Sequence, residues 1–142
     1  METLRVYPVA PLAVPHAVSK EILFRGYRIP QGTTVLVNLD SVLRDSSTFK
    51  DLDVFRPERY LDADGHIKKP EVHIPFTIGR RVCLGESVAR MELFLFRATL
   101  YQNFEFLPVE GQPLPQRKGI LGITYSPVPF LIRAVRRYEL KT

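Results

Sequence analysis

Twelve prolines in 142 residues leave little room for long elements. Each one fixes its own φ, removes a backbone donor and biases the residue before it away from helix. They stand at Pro8, Pro11, Pro15, Pro30, Pro57, Pro70, Pro75, Pro108, Pro113, Pro115, Pro127 and Pro129. Such punctuation predicts short elements joined by fixed turns and argues against a helical bundle.

Apolar residues make up 45% and charged residues 25%, which places the chain among globular proteins rather than disordered ones. The length suits one domain over residues 1–142 with its own core and no second domain. A single cysteine excludes an internal disulfide and a zinc site built from cysteine pairs, and His16, His66 and His73 lack metal-ligand spacing. The formal charge of +5 is modest and its arginines are scattered through apolar text, so nucleic acid is not an expected partner. No apolar run approaches the ~20 residues of a membrane span, and no signal-peptide pattern is expected at the first residues.

Met1 to Val6 reads as the last turn or two of a helix stopped by Pro8, with Glu2 and Arg5 on one face. Tyr7 to Pro15 is extended. Ile22–Phe24, Tyr27–Ile29 and Thr33–Val37 read as strands of a small antiparallel sheet, with Gly26 and Ile29-Pro30-Gln31-Gly32 as turns. Asp40 to Arg44 predicts a short helix. Asp51 to Pro70 winds across the surface, held by Phe55, Tyr60 and Leu61. Asn103 to Leu107 alternates as a strand, and Ile120–Tyr125 with Phe130–Val135 reads as a hairpin around Ser126-Pro127. From Glu86 onward a mostly apolar helix carries only a narrow polar stripe, Glu86, Arg90 and Arg97, which predicts a buried core helix with Glu92 paired or at an interface.

The chemistry concentrates at Phe76-Thr77-Ile78-Gly79-Arg80-Arg81-Val82-Cys83-Leu84-Gly85. The sole cysteine sits on a glycine-bounded loop, beside two arginines and just ahead of a helix N-terminus. Those conditions favour thiolate over thiol, so the residue reads as a metal ligand or a nucleophile. The joint pattern Phe-x-x-Gly-x-Arg-x-Cys-x-Gly arises by chance roughly once in a million starting points. Phe76 can pack on a flat ligand, Gly79 and Gly85 permit tight turns and close approach, and Arg81 offers a forked donor to a carboxylate. A nucleophilic enzyme is disfavoured because no His with Asn or Asp signature accompanies Cys83.

The loop resembles the cysteine signature of the cytochrome P-450 family of haem-thiolate monooxygenases, with Thr77 standing where Ser, Gly or Asn is more usual. Two further marks follow that family's order: Glu2-Thr3-Leu4-Arg5 is similar to its Glu-x-x-Arg motif, and Phe55-Arg56-Pro57-Glu58-Arg59-Tyr60 to its Pro-Glu-Arg segment. Flanking text such as Phe24-Arg25-Gly26-Tyr27 resembles animal microsomal members of the drug- and steroid-metabolising group. The resemblance covers nearly the whole chain and implies the C-terminal portion of that fold, mainly α with small β-sheets (α+β).

By that resemblance Cys83 is the axial ligand of a haem b iron (iron protoporphyrin IX), Arg81 pairs with a propionate, and Phe76, Gly79 and Gly85 shape the loop around the cofactor. His16 is a second propionate partner or an ordinary loop histidine. Glu2, Arg5 and Arg59 form a buried charged triad. Arg80 and Arg90, without an obvious acidic neighbour in the motif, face a flavin reductase that brings electrons from NADPH, or are simply solvated. Val9, Ala10, Leu12, Ala13, Val14, Leu121 and Ile123 face a hydrophobic substrate, or are plain core and turn residues. The implied parent is an oxygen-dependent monooxygenase of the endoplasmic reticulum membrane.

The family's distal helix with its acid–alcohol pair has no counterpart in these residues, nor has the N-terminal membrane anchor. The expectation is therefore a fragment without catalytic residues of its own, and its alternative is a truncated haem-binding or interaction module that is not an oxygenase.

Overall fold

Turn chemistry sets the grain of the structure. The computed structural model describes residues 1–116 and 118–138. Among them are three α-helices and eight strands, and the strands pair only two by two. The chain divides into two compact units, Met1–Arg81 with Leu121–Tyr125 and Val82–Ile120 with Ser126–Thr142.

In the first unit, α1 (Glu2–Val6) packs on α2 (Leu39–Leu43). Helix α2 starts one residue before the expected Asp40 because Asn38 supplies its cap: Asn38 Oδ1 accepts the Ser41 N–H at 3.1 Å. Strands β1 (His16–Ala17) and β4 (Thr34–Val35) pair antiparallel, His16 opposite Val35. Strands β2 (Ile22–Phe24) and β3 (Tyr27–Ile29) form a tight hairpin with Phe24 opposite Tyr27. Its turn places Arg25 at φ 49° and Gly26 at φ 84°, the pair of left-handed residues that a two-residue hairpin of this hand requires.

Leu4, Val6, Ala13, Leu39, Leu43, Phe49 and Tyr60 form the apolar core, and all belong to this unit. Complete burial of Leu39 and Leu43 stabilises it by about 1.5–3 kcal/mol each. Of the three residues expected to hold the 51–70 segment, Tyr60 is buried while Phe55 and Leu61 are exposed. Phe49 takes their place, with its ring centroid 6.3 Å from that of Tyr60. A segment that winds over a surface needs only one deep contact, and its sequence does not say which residue makes it.

The second unit is built on α3 (Glu86–Asn103), which runs directly into β5 (Phe104–Leu107). Strand β5 pairs antiparallel with β8 (Arg133–Arg136). The expected hairpin around Ser126-Pro127 is not formed. The turn falls instead at Gly122–Thr124, between β6 (Gly119–Leu121) and β7 (Tyr125–Pro127). Pro127 ends β7, a position a proline tolerates in a two-stranded ribbon because both strands are edges. Of the Phe130–Val135 stretch expected as the second strand of that hairpin, residues 133–135 pair instead with β5 across the sequence, as part of β8.

Helix α3 also departs from expectation: none of its residues is buried, and Phe94 and Phe96 are 71% and 67% exposed. Glu92 is exposed as well. An apolar composition states what a helix face needs, and burial follows only where neighbouring elements supply the cover. No helix among the described residues is long and apolar enough to cross a membrane.

Candidate functional site

The cysteine loop begins in the first unit. Phe76 is half-buried. Thr77 follows at φ +65°, a left-handed conformation that a β-branched residue seldom adopts. Its N–H donates to Ile74 O at 3.0 Å and its Oγ1 donates to Arg81 O at 3.1 Å, so the turn is closed from both sides. Gly79, at φ +79°, opens a single 3₁₀ turn, Gly79–Arg81. A side chain at Gly79 would meet nothing within 4 Å, so the backbone angle and not crowding calls for glycine there. Arg80 and Arg81 are exposed.

The remainder of the loop belongs to the second unit. Cys83 is a free, exposed thiol two residues before the cap of α3. Its carbonyl accepts the Glu86 N–H at 3.4 Å, a loose closure of the first turn. Gly85 is the cap residue, with no side chain to satisfy the first-turn N–H groups. Its φ of −87° is open to any residue, and a Cβ there would lie 3.9 Å from Cys83 Sγ, an ordinary contact. The tight turn expected of Gly85 is thus confined to Gly79. Arg90 does have an acidic neighbour, contrary to the reading of the motif alone: its Nε and Nη2 donate to Glu86 Oε1 at 2.8 and 2.7 Å, one helical turn away.

A charged cluster lies buried in the first unit. Arg5 grips the Glu2 carboxylate with two hydrogen bonds of 2.9 Å, and Arg59 Nε donates to the same carboxylate at 3.1 Å. The Arg56 N–H adds a fourth at 3.1 Å. Both guanidinium groups also donate to carbonyls of one loop: Arg5 Nη2 to Leu52 O, and Arg59 to Lys50, Asp51 and Val54 O. Burial alone would raise the pKa of Glu2. The Arg5 and Arg56 hydrogen bonds and the charges of Arg5 and Arg59 outweigh it and hold the carboxyl below its ordinary range.

Sequence reasoning missed what surrounds this cluster. The Arg5 guanidinium lies 5.5 Å from the centroid of Phe49, and Tyr60 packs beside Phe49. The Tyr60 hydroxyl meets His73 Nδ1 at 2.8 Å, with the rings edge to face at 5.0 Å. Burial and the nearby Glu2 charge push the Tyr60 phenol well above its usual range. His73 is fully buried. Its one advance signal was its place between Val72 and Ile74, an apolar run in which a histidine reads as core.

The two apolar segments come together: the Tyr125 N–H donates to Val9 O at 2.7 Å and sets Leu121–Tyr125 beside residues 9–14. Val9, Leu12, Val14, Leu121 and Ile123 are exposed and Ala10 half-buried, whereas Ala13 is core, its N–H bound to Val37 O. Ala13 therefore does not join an outward apolar surface. His16 is half-buried in β1. Asp62, Asp64 and His66 also gather donor atoms within 4.8 Å, exposed in a turn that Asp62 Oδ1 already organises by accepting the Asp64 and His66 N–H groups.

The cytochrome P450 family model matches residues 1–134 of this chain, spanning both the charged cluster and the cysteine loop. The chain belongs to the cytochrome P450 family. It is 47% identical to human cytochrome P450 2D6 over 136 residues, 96% of this chain and 27% of that protein. It is likewise 47% identical to human cytochrome P450 2D7 over 129 residues, 91% of this chain and 25% of that protein. Bovine cytochrome P450 2D14 is 45% identical over 136 residues, again 96% and 27%. The chain spans about a quarter of the length of the curated relatives it matches.

Proposed function

We propose that Cys83 supplies the thiolate ligand of a haem b iron, and that the chain is the haem-ligating part of a monooxygenase oxidising hydrophobic small molecules. The observation that carries this reading is the position of the sole thiol, exposed and just ahead of the cap of α3, in a chain of the P450 family. The donor chemistry fits. A thiolate is a soft, anionic ligand suited to iron, and exposed Val82 and Leu84 offer apolar surface on either side of it. When bound, the haem supplies an iron onto which the thiolate pushes electron density, favouring O–O cleavage.

The chain's own residues have separate tasks in this reading. The first-turn N–H groups of α3 steady the negative sulfur. Phe76 packs on the macrocycle, Gly79 provides the turn, and Gly85 opens the helix without a competing side chain. Arg81 and His16 bind the propionates. The Glu2–Arg5–Arg59 cluster braces the first unit. Val9, Ala10, Leu12, Val14, Leu121 and Ile123 offer apolar surface to substrate. Arg80 receives the acidic face of an NADPH-dependent flavin reductase, with Arg90 contributing less because Glu86 neutralises it. The mainly α class and the endoplasmic reticulum membrane are proposed for the complete protein.

The test is the carbon monoxide spectrum of the reduced, haem-loaded chain, beside that of Cys83→Ser. A thiolate-type Soret band present in the first and lost in the second is the expected result. Identical spectra would remove Cys83 as the ligand. Turnover with reductase, NADPH and oxygen then separates an oxygenase from a module that only binds haem.

A further inference from the structure

Thr77 poses a physical question that the cysteine motif leaves open. A β-branched residue at φ +65° is strained, and such strain persists only where the surroundings over-determine the conformation. The hydrogen bonds from Thr77 to Ile74 O and Arg81 O lie within the turn itself, so they move with it and cannot tie it to the rest of the unit. A fully buried tie stands four residues upstream. His73 is 0% exposed, and its N–H closes the preceding turn on Pro70 O at 3.0 Å. Its Nδ1 meets the hydroxyl of Tyr60, itself 2% exposed. Tyr60 leans in turn on Phe49, the ring that carries the Arg5 guanidinium. A connected set of contacts therefore runs from the Glu2 cluster through Phe49, Tyr60 and His73 to the start of the strained turn.

We propose that the buried Tyr60–His73 hydrogen bond is the clamp that holds Thr77 in its left-handed conformation, which makes His73 a positioning residue for the cysteine loop. Loss of the Tyr60 hydroxyl leaves a buried ring nitrogen without that partner and lets the 73–77 segment relax. Thr77 then leaves the left-handed region, and the backbone path of the cysteine loop from Ile78 to Arg81 is no longer set. The consequence for haem rests on the reading of Cys83 as the thiolate ligand; the clamp itself does not.

Tyr60→Phe is the variant of choice because it keeps the ring contacts with Phe49 and His73 and removes one oxygen. Two readouts are taken on the 142-residue chain. Without haem, hydrogen exchange at the Thr77 amide is compared with global stability from urea unfolding. With haem, the fraction of the reduced carbon monoxide complex showing the thiolate-type band is measured. In Tyr60→Phe, Thr77 exchange is expected to rise about tenfold beyond any change in global unfolding, and the thiolate fraction to fall. Adding Thr77→Gly, which removes the strain the clamp opposes, is expected to return both readouts toward wild type. A residue that served stability alone would not be rescued by a glycine placed seventeen positions away in a different turn. Unchanged Thr77 exchange in Tyr60→Phe, or failure of Thr77→Gly to restore protection, overturns the proposal. If wild type shows no thiolate band, the haem reading fails and the exchange arm alone decides the clamp.

Discussion

Glu2 is buried yet charged, and its four hydrogen bonds explain how. Removing one partner strands the others, so Arg59→Ala is expected to cost about 3–5 kcal/mol, read from urea unfolding, and to abolish haem loading. Normal stability with normal haem content would show that Arg59 contributes only an exposed-type pair. The same carboxylate makes stability depend on pH. Its pKa lies lower folded than unfolded, so through the carboxylate range the unfolded chain binds more protons. Stability is therefore fully present above that range and falls as the medium is acidified from neutral towards about pH 3. Glu2→Gln should begin less stable and lose part of the acid slope, the rest belonging to Asp45, whose carboxyl the Ser47 and Thr48 hydrogen bonds also hold below its ordinary range; an undiminished slope would exclude Glu2 as a titrating group. Part of this was legible in advance. The i, i+3 spacing of Glu2 and Arg5 puts them on one helical face, but that Arg59 reaches the same oxygen, over a separation of 57 residues, is a tertiary event.

At the scale of the element, α3 shows how local pairing redistributes charge. Arg90 is half-buried against Glu86 in a bond worth about a few tenths of a kcal/mol, and the adjacent carboxylate offsets its charge towards an outside partner. Arg80, exposed on the 3₁₀ turn, is not so engaged among the described residues. Charge reversal Arg80→Glu should raise the apparent reductase KM several-fold at low salt and much less at high salt, and Arg90→Glu should do so more weakly. Equal effects, or none at low salt, would discard Arg80 as the docking cation. The misread hairpin belongs to this scale too. Ser126-Pro127 is a good turn signal in isolation, yet Gly122, four positions before Ser126, offers an easier reversal, and strands that close onto distant partners leave no local mark.

For the molecule as a whole, the buried apolar side chains among the described residues all lie in the first unit, while α3 exposes Val88, Met91, Phe94, Leu95 and Phe96. Exposed apolar surface of this extent binds other apolar surfaces. The chain by itself is expected to bind a hydrophobic dye strongly and to self-associate with rising concentration in sedimentation. Phe94→Lys with Leu95→Gln should cut both by about half without unfolding the first unit, whose circular dichroism and urea midpoint serve as the control. A dye signal insensitive to these substitutions would locate the sticky surface elsewhere, the β2–β3 hairpin with its exposed Leu23, Phe24 and Tyr27 being the next place to look.

The sequence by itself determined what short-range rules can reach. Prolines kept the elements short, the Asx and glycine signals set caps and turns, and the sole thiol was placed at the head of a long helix, because each depends on residues within a turn or two of one another. Tertiary structure alone decided the rest: which ring fills the core under the 51–70 segment, that Tyr60 and His73 share a buried hydrogen bond, that β8 crosses to β5, and that an apolar helix lies uncovered. Those outcomes depend on which distant surfaces meet and on how much water each meeting excludes, and no local pattern of residues encodes that.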